Sequence, residues 1–306
     1  MADIAAVRLS AQPAAKTSPA RAEARFAIGL ILPSLLVLVL TTTLPIVYLV
    51  WSSLQRINPS MSFMNGFAGA QNYTAMVGDA RFWNSLRLTL VYTGSTVLLQ
   101  VAIGLGLALA IMELRRGQWL ARLVAILPIV LAPVVVGLYF RTLMLTPTFG
   151  IFDYFMASLG LGSHNWLGDP DLALISVIGI HTWQWTPFSF LVLLAALSAM
   201  PGDIYEAARM DRASALQRFW HITLPLLRPV IMVLVILRLT VALSAFAAIF
   251  AATGGGPGTA TEILNLYAYR TSFNELQVGY GAALAVTLLV ITLVTTGVLF
   301  RLRRRG

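Results

Sequence analysis

The sequence predicts an all-α integral membrane protein with six transmembrane helices and both termini in the cytoplasm. Three observations carry this. Hydrophobic residues make up 58% of the 306 residues and charged residues 11%, whereas a water-facing domain carries about 25% charged residues. Six apolar stretches are each long enough to cross a bilayer, which takes roughly 20 helical residues. The basic residues, finally, lie mostly on one side of those stretches.

Residues 1–25 are rich in Ala, Pro and Ser and read as a disordered tail. The membrane domain is 26–306. Its first span, 26–51, is too long for a signal-peptide core and no small-residue cleavage site follows it, so it reads as uncleaved. The remaining spans are 86–112, 120–145, 172–200, 226–252 and 279–300. None alternates as a barrel strand does, so helices that close their own backbone bonds are the physical solution. The loops 52–85 and 146–171 are long and hold aromatics suited to a bilayer interface.

Positive charge orients the spans. Arg8, Lys16, Arg21 and Arg25 precede the first; Arg115, Arg116 and Arg122 follow the second. Arg209, Arg212, Arg218 and Arg228 follow the fourth, and Arg301, Arg303, Arg304 and Arg305 the sixth. These 15 lie on one side, against Arg56, Arg81, Arg87, Arg141 and Arg270 on the other. The richer side is the cytoplasm. The net charge of +9 is thereby explained by membrane orientation, without nucleic acid.

Much chemistry is absent. There is no cysteine, which removes disulfides and thiolate chemistry. The histidines, His164, His181 and His221, fall in a loop, a span and the opposite loop, so no metal cluster or catalytic triad is suggested. A phosphate-cradling loop needs a lysine after glycines; the only lysine, Lys16, follows Pro13, Ala14 and Ala15. No ATP site is expected in this chain, and a partner or an ion gradient must power any active transport.

Loop 201–225 is the most informative segment. Asp203 with Glu206, and Ser214 with Gln217, each fit a capping box, predicting two short helices joined near 211–213. The small pair Ala207 and Ala208 lets another surface come close. Leu216, Phe219, Trp220 and Ile222 give the second helix an apolar face. The pattern fits a docking element for a cytoplasmic partner; a solvated loop packed on its own bundle is the alternative.

At this loop the sequence resembles a known family. Glu206-Ala207-Ala208, Asp211, Ala213, Phe219, Ile222 and Leu224-Pro225 are similar to the EAA loop of binding-protein-dependent ABC importer permeases. Arg212 stands where that family usually has glycine. Gly69-Ala70-Gln71-Asn72-Tyr73, Asp79 and Arg81-Phe82-Trp83-Asn84-Ser85-Leu86 resemble the first outer loop of the sugar branch, the maltose and glycerol-3-phosphate type. Trp183 with Thr186-Pro187-Phe188, then Thr253-Gly254-Gly255-Gly256-Pro257, Tyr269, Phe273, Gly279-Tyr280 and Ala283, extend the likeness from about residue 26 to 301.

The resemblance implies a type I ABC importer permease fold and a multi-pass subunit of the bacterial cytoplasmic (inner) membrane. Its implied partners are a second homologous permease, an ATPase dimer that binds ATP and Mg, and a periplasmic or lipid-anchored sugar-binding protein. It places Glu206, Ala207, Ala208, Asp211, Arg212, Ala213 and Phe219 in the coupling loop against the ATPase.

Polar groups inside a span are costly and mark functional candidates. His181, Gln184, Trp185 and Phe188 fall at i, i+3, i+4 and i+7, on one helix face, and offer hydrogen bonds beside stacking rings. The resemblance aligns them with sugar-lining positions; helix–helix packing is the alternative. Pro187 lies between them, removes a backbone donor and is expected to kink the helix there. Arg238, midway along the fifth span, costs roughly 2.5–3.5 kcal/mol to insert and must face a cavity or a counter-charge. By resemblance it aligns with a sugar contact, and its fork suits carboxylate, phosphate or sulfonate. An anionic sugar, a salt bridge to the second permease and hydrogen bonds to neutral hydroxyls all remain open. A self-sufficient secondary transporter is the competing function, but it needs coupling carboxylates at mid-membrane and an inverted repeat, and neither is found. A membrane enzyme lacks any catalytic constellation.

Overall fold

The computed structural model describes residues 18–114 and 116–305, which are almost entirely helical. They form two compact units, one ending at Tyr48 and the other beginning at Leu49. The first unit consists of most of helix α1 (Ser18–Ser53). The helix begins at Ser18, so residues 18–25, expected in a disordered tail, are helical; residues 1–17 of that tail lie outside the described residues. The hydroxyls of Ser34, Thr41 and Thr42 donate to carbonyls of the preceding turn at 2.8, 2.8 and 2.6 Å, so these three groups are satisfied within the helix, as a bilayer demands.

The second unit opens with a two-stranded hairpin, β1 (Gln55–Arg56) against β2 (Gly66–Phe67), and the short helix α2 (Gln71–Val77). Then come α3 (Ala80–Glu113), α4 (Gln118–Val130), α5 (Pro133–Tyr139), α6 (Ile151–Ser158), α7 (Pro170–Ser198), α8 (Gly202–Met210) and α9 (Ala215–Arg218). The chain closes with α10 (Leu224–Leu243), α11 (Ala247–Ala252), α12 (Leu264–Tyr269) and α13 (Val278–Arg305). Among the described residues five helices are long and apolar enough to cross a membrane, and one bent pair makes a sixth candidate.

That pair corrects the third span. Residues 120–145 do not form one helix: α4 and the stretch 133–144 meet at 96°. Proline is the cause. The ring of Pro133 drives Ala132 to the extended region, ψ 137°, as expected before proline, and Leu131 is extended too, ψ 136°. The fifth span is corrected at its end. Residues 226–252 break after Leu243, because Phe246 adopts φ −152°, ψ −62°, outside the helical region. Asn265 donates its amide to the freed carbonyls of Ser244 and Ala245 at 3.2 and 3.3 Å, which offsets the broken ladder.

Three apolar clusters fill the second unit, one of them around Phe82, Leu264 and Leu284, and the other two flank the candidate site. One gathers Leu88, Tyr92, Val136, Val177, Ile180 and Ile249; the other gathers Ala108, Ile111, Phe190, Leu193, Leu227 and Leu234. Helices α3 and α7 approach closely at Gly104, where an added Cβ would lie 2.9 Å from the Phe190 nitrogen. Between the two clusters lies a buried polar layer: Thr93, Thr96 and Gln100 on α3, His181, Thr182, Gln184 and Thr186 on α7, and Arg238 on α10.

At one end of the bundle Glu262, fully buried, accepts two hydrogen bonds from Arg81 at 2.7 and 2.8 Å and one from Arg270 at 2.8 Å. Arg81 also reaches Glu275 at 2.6 Å. Two of the five arginines on the charge-poor side are thus neutralised within the chain.

Candidate functional site

The polar layer faces a cavity of about 410 Å³. Its walls include Tyr92 from α3, Pro133 at the break of the third span, His181, Gln184 and Trp185 from α7, Thr240 from α10 and Phe246 at the break after α10. Both helix breaks therefore open onto one space. His181, Gln184 and Trp185 share the predicted face, since residues at i, i+3 and i+4 lie together on a helix. Phe188, one turn further, does not line the cavity. Its half-buried ring turns to Arg238, whose guanidinium carbon lies 5.8 Å from the ring centre. Helix α7 runs unbroken through Pro187.

Arg238 is 1% exposed and stands behind the cavity wall. Its Nε donates to Gln100 Oε1 at 2.8 Å, and its guanidinium carbon sits 4.7 Å over the Trp185 ring. Its Nη2 is buried without a hydrogen-bond partner, and it forms no ion pair among the described residues. A cation–π contact with a desolvated ring is worth up to about 2 kcal/mol. The expected counter-charge is thus replaced, in this chain, by a neutral amide and an indole face.

An arginine can only donate, so the amide oxygen of Gln100 must face Arg238 and its nitrogen the other way. That nitrogen lies 3.1 Å from His181 Nδ1 and 3.3 Å from the His181 carbonyl. Nδ1 therefore accepts, and the imidazole carries its proton on Nε2. The Tyr92 and His181 rings are 5.3 Å apart and those of His181 and Trp185 6.3 Å. Gln184 Nε2 donates to the Leu131 carbonyl at 3.0 Å, which satisfies a backbone group freed by the bend, while Gln184 Oε1 and the Tyr92 hydroxyl are buried without partners. The wall thus offers stacking rings and uncommitted polar atoms side by side, a combination suited to a polyhydroxylated ligand.

Gln100 and Tyr92 were not singled out from the sequence. Gln100 obeys the same rule that exposed Arg238, a polar group inside a span. Phe246 carried no signal, because the break that presents it falls in a run of helix-compatible residues.

The second candidate region is loop 201–225. Ser214 forms the capping box: its hydroxyl accepts from the Gln217 N–H at 3.2 Å while the Gln217 side chain accepts from the Ser214 N–H at 2.8 Å. Asp203 does not cap. Helix α8 starts two residues earlier than that pairing needs, with Pro201 as its N-cap, so Asp203 lies in the first turn, where its charge favours the helix dipole. Asp211 ends α8 and Arg212 follows with φ 57°. The Arg212 N–H donates to the Arg209 carbonyl and the Ala213 N–H to the Ala208 carbonyl, both at 3.0 Å. This is a Schellman ending, so Arg212 occupies the left-handed position that glycine usually fills, at about 1–2 kcal/mol of strain.

Glu206, Ala207, Asp211 and Arg212 are exposed, Ala213 and Phe219 half-buried, and Ala208 buried. The small pair therefore splits: Ala207 faces outward and Ala208 packs within the chain. Ile204, Met210, Leu216 and Trp220 are exposed apolar side chains beside them. The Tyr205 hydroxyl, 3.0 Å from Thr223 Oγ1 and 3.1 Å from Met200 Sδ, ties the loop to the ends of α7 and α10.

The family described as "Binding-protein-dependent transport system inner membrane component" matches residues 101–305. The chain belongs to this family. The permease is 36% identical over 284 residues to the trehalose/maltose transport system permease protein MalF of Thermococcus litoralis, covering 92% of this chain and 95% of that one. It is 34% identical over 278 residues to the sulfoquinovosyl glycerol transport system permease protein SmoG of Agrobacterium fabrum, covering 91% and 90%. A crystal structure of a bacterial alginate ABC transporter, in complex with an alginate pentasaccharide-bound periplasmic protein, contains a chain of the same fold. The TM-score is 0.79 at 22% identity, over 95% of the permease and 98% of that chain. The permease is accordingly a multi-pass inner-membrane transport subunit with the type I importer fold, and not an enzyme.

Proposed function

We propose that the permease forms part of the sugar path of an ATP-driven importer, and that carbohydrate passes through the cavity beside His181, Gln184 and Trp185. The observation that carries this reading is the placement of that cavity. It lies in the polar layer between two apolar clusters, is walled by Trp185 and Tyr92, and has unpartnered polar atoms at Tyr92 and Gln184. A volume of 410 Å³ lies within the roughly 300–1,000 Å³ of small-molecule sites. The two relatives named above are sugar transport permeases by name, which supports the same substrate class.

The subunit works with a second permease, an ATPase dimer and an extracytoplasmic binding protein; the alginate transporter's complex with its periplasmic protein supports the last of these. ATP and Mg belong to the ATPase. With both termini in the cytoplasm, loop 201–225 lies on the ATPase side. Closure of the ATPase dimer moves the loop through Ala207, Arg212 and the exposed apolar residues. Tyr205 passes that motion to α7 and α10, and the breaks at Leu131–Ala132 and at Phe246 let the cavity open outward, an alternating-access change driven by a partner.

An anionic sugar is the finer reading. Arg238 keeps Nη2 unpaired directly behind Trp185, and a guanidinium pairs best with an acidic group. The relatives named above include transporters of neutral and of sulfonated sugars by name, so the support for an acidic substrate is Arg238 itself.

The test is uptake in proteoliposomes containing the whole transporter. Uptake should require both ATP and the sugar-loaded binding protein. Uptake driven by a sodium or proton gradient without ATP would contradict the importer reading and favour a secondary transporter.

A further inference from the structure

The connection between the third and fourth spans holds a device that the transport reading does not use. Asp153 in α6 is fully buried. Its carboxylate accepts from the His164 N–H at 2.9 Å, the Ser163 hydroxyl, the Thr148 N–H at 2.8 Å and the Trp166 indole N–H at 2.8 Å. These bonds, led by that from His164, hold its carboxyl well below the usual carboxylate range. Phe152 packs on Trp166 with ring centres 5.1 Å apart. One face of α6 is thereby fixed inward.

The other face points away from the protein. Ile151, Tyr154, Phe155 and Leu159, spaced for one helix side, are 62%, 71%, 55% and 59% exposed, and Phe149 and Leu161 beside them 88% and 61%. Asp153 is the only charged residue between 142 and 168. A soluble loop would not hold so continuous an apolar patch in water.

Its depth is fixed by α7. The Ser176 hydroxyl donates to the Trp166 carbonyl at 2.8 Å, and Ser176 is the seventh residue of a 29-residue helix. Such a helix is about 43 Å long against roughly 30 Å of hydrocarbon. Centred, it projects by about four residues at each end, which sets Trp166 and α6 at the headgroup boundary. The patch also continues, along the chain, the exposed apolar surface of Leu138 and Leu143 at the end of the third span.

We propose that α6 is an interfacial helix that lies in the bilayer surface, seating its aromatic face among headgroups and upper acyl chains, with Asp153 as the staple that sets its rotation. The ligand is the lipid surface itself. An apolar face with aromatic anchors and no charge fits the boundary region, whereas charge complementarity to a soluble partner has nothing to work with here.

The chain's lack of cysteine makes the test direct. Ile151→Cys and Phe155→Cys, in the assembled transporter in nanodiscs, would each carry an environment-sensitive fluorophore. Lipids with a nitroxide high on the acyl chain should quench both labels at least about twofold, while aqueous iodide should quench little. Strong iodide quenching with no nitroxide effect would place the face in water, open to the binding protein, and overturn the proposal. Quenching by neither agent would place it against the second permease and overturn it equally.

Discussion

Arg238 Nε donates to Gln100 Oε1 at 2.8 Å, joining the fifth span to the second at the centre of the buried polar layer. The same amide continues to His181, so one neutral side chain sets both the position of the guanidinium and the tautomer of a cavity-lining imidazole. Gln100→Leu should strand the guanidinium and destabilise the assembled transporter by about 2–3 kcal/mol, the worth of a hydrogen bond to a charged group plus the unmet burial cost. Gln100→Glu should recover that stability. Thermal unfolding of the detergent-solubilised complex measures both; equal stability of wild type and Gln100→Leu would remove Gln100 from this role.

Arg238→Gln separates the charge readings. If an acidic sugar pairs with Arg238, uptake of that sugar should fall at least about tenfold, roughly 1.4 kcal/mol, while a neutral analogue is much less affected and assembly is intact. Equal losses for both sugars would reject the acidic substrate. A fall in complex yield whatever the sugar would point to the second permease instead.

The coupling loop gives two further outcomes. Ala207→Trp should lower sugar-stimulated ATP hydrolysis and ATPase co-purification, because Ala207 is the exposed member of the pair, while the permease still reaches the membrane. Arg212→Gly should relieve a left-handed strain of about 1–2 kcal/mol and keep coupling, if the backbone turn is what the position supplies. Loss of stimulated hydrolysis in Arg212→Gly with the ATPase still bound would give the guanidinium itself the coupling role.

Asp153 carries a pH dependence with a definite sign. Its folded carboxyl titrates below the ordinary value, so its contribution is present above that ordinary value, about 3.9, and is lost as pH falls through the depressed one. The α6 staple should hold from neutral pH down to about 4 and open only in stronger acid; Asp153→Asn should loosen it at neutral pH. Hydrogen exchange over residues 148–166 reads both effects.

Hydropathy and charge gave away the spans because a bilayer tolerates few alternatives to a long apolar helix. The breaks were harder to see. Pro133 announced the first, though not its 96° angle, which depends on two extended residues and a carbonyl held by Gln184. Phe246 announced nothing, since the cap on the broken helix comes from Asn265, in the first turn of α12. The shared helix face of His181, Gln184 and Trp185 meets one cavity wall, but periodicity cannot tell how far a wall extends, and Phe188 lies behind it. The pairing of Arg238 with Gln100 needed the packing of α3 on α10, which no local pattern encodes. Ser214 capped as its spacing implied, whereas Asp203 did not because Pro201 had already begun the helix.

Single cysteines at Gln184 and Trp185, introduced into the cysteine-free permease within the assembled transporter, test the proposed sugar path most directly. Both should react with a small water-soluble thiol reagent, and transported sugar with its binding protein and ATP should slow that reaction. Reaction no faster than at a lipid-exposed α7 position such as Ile175, or reaction that sugar leaves unchanged, would contradict the path.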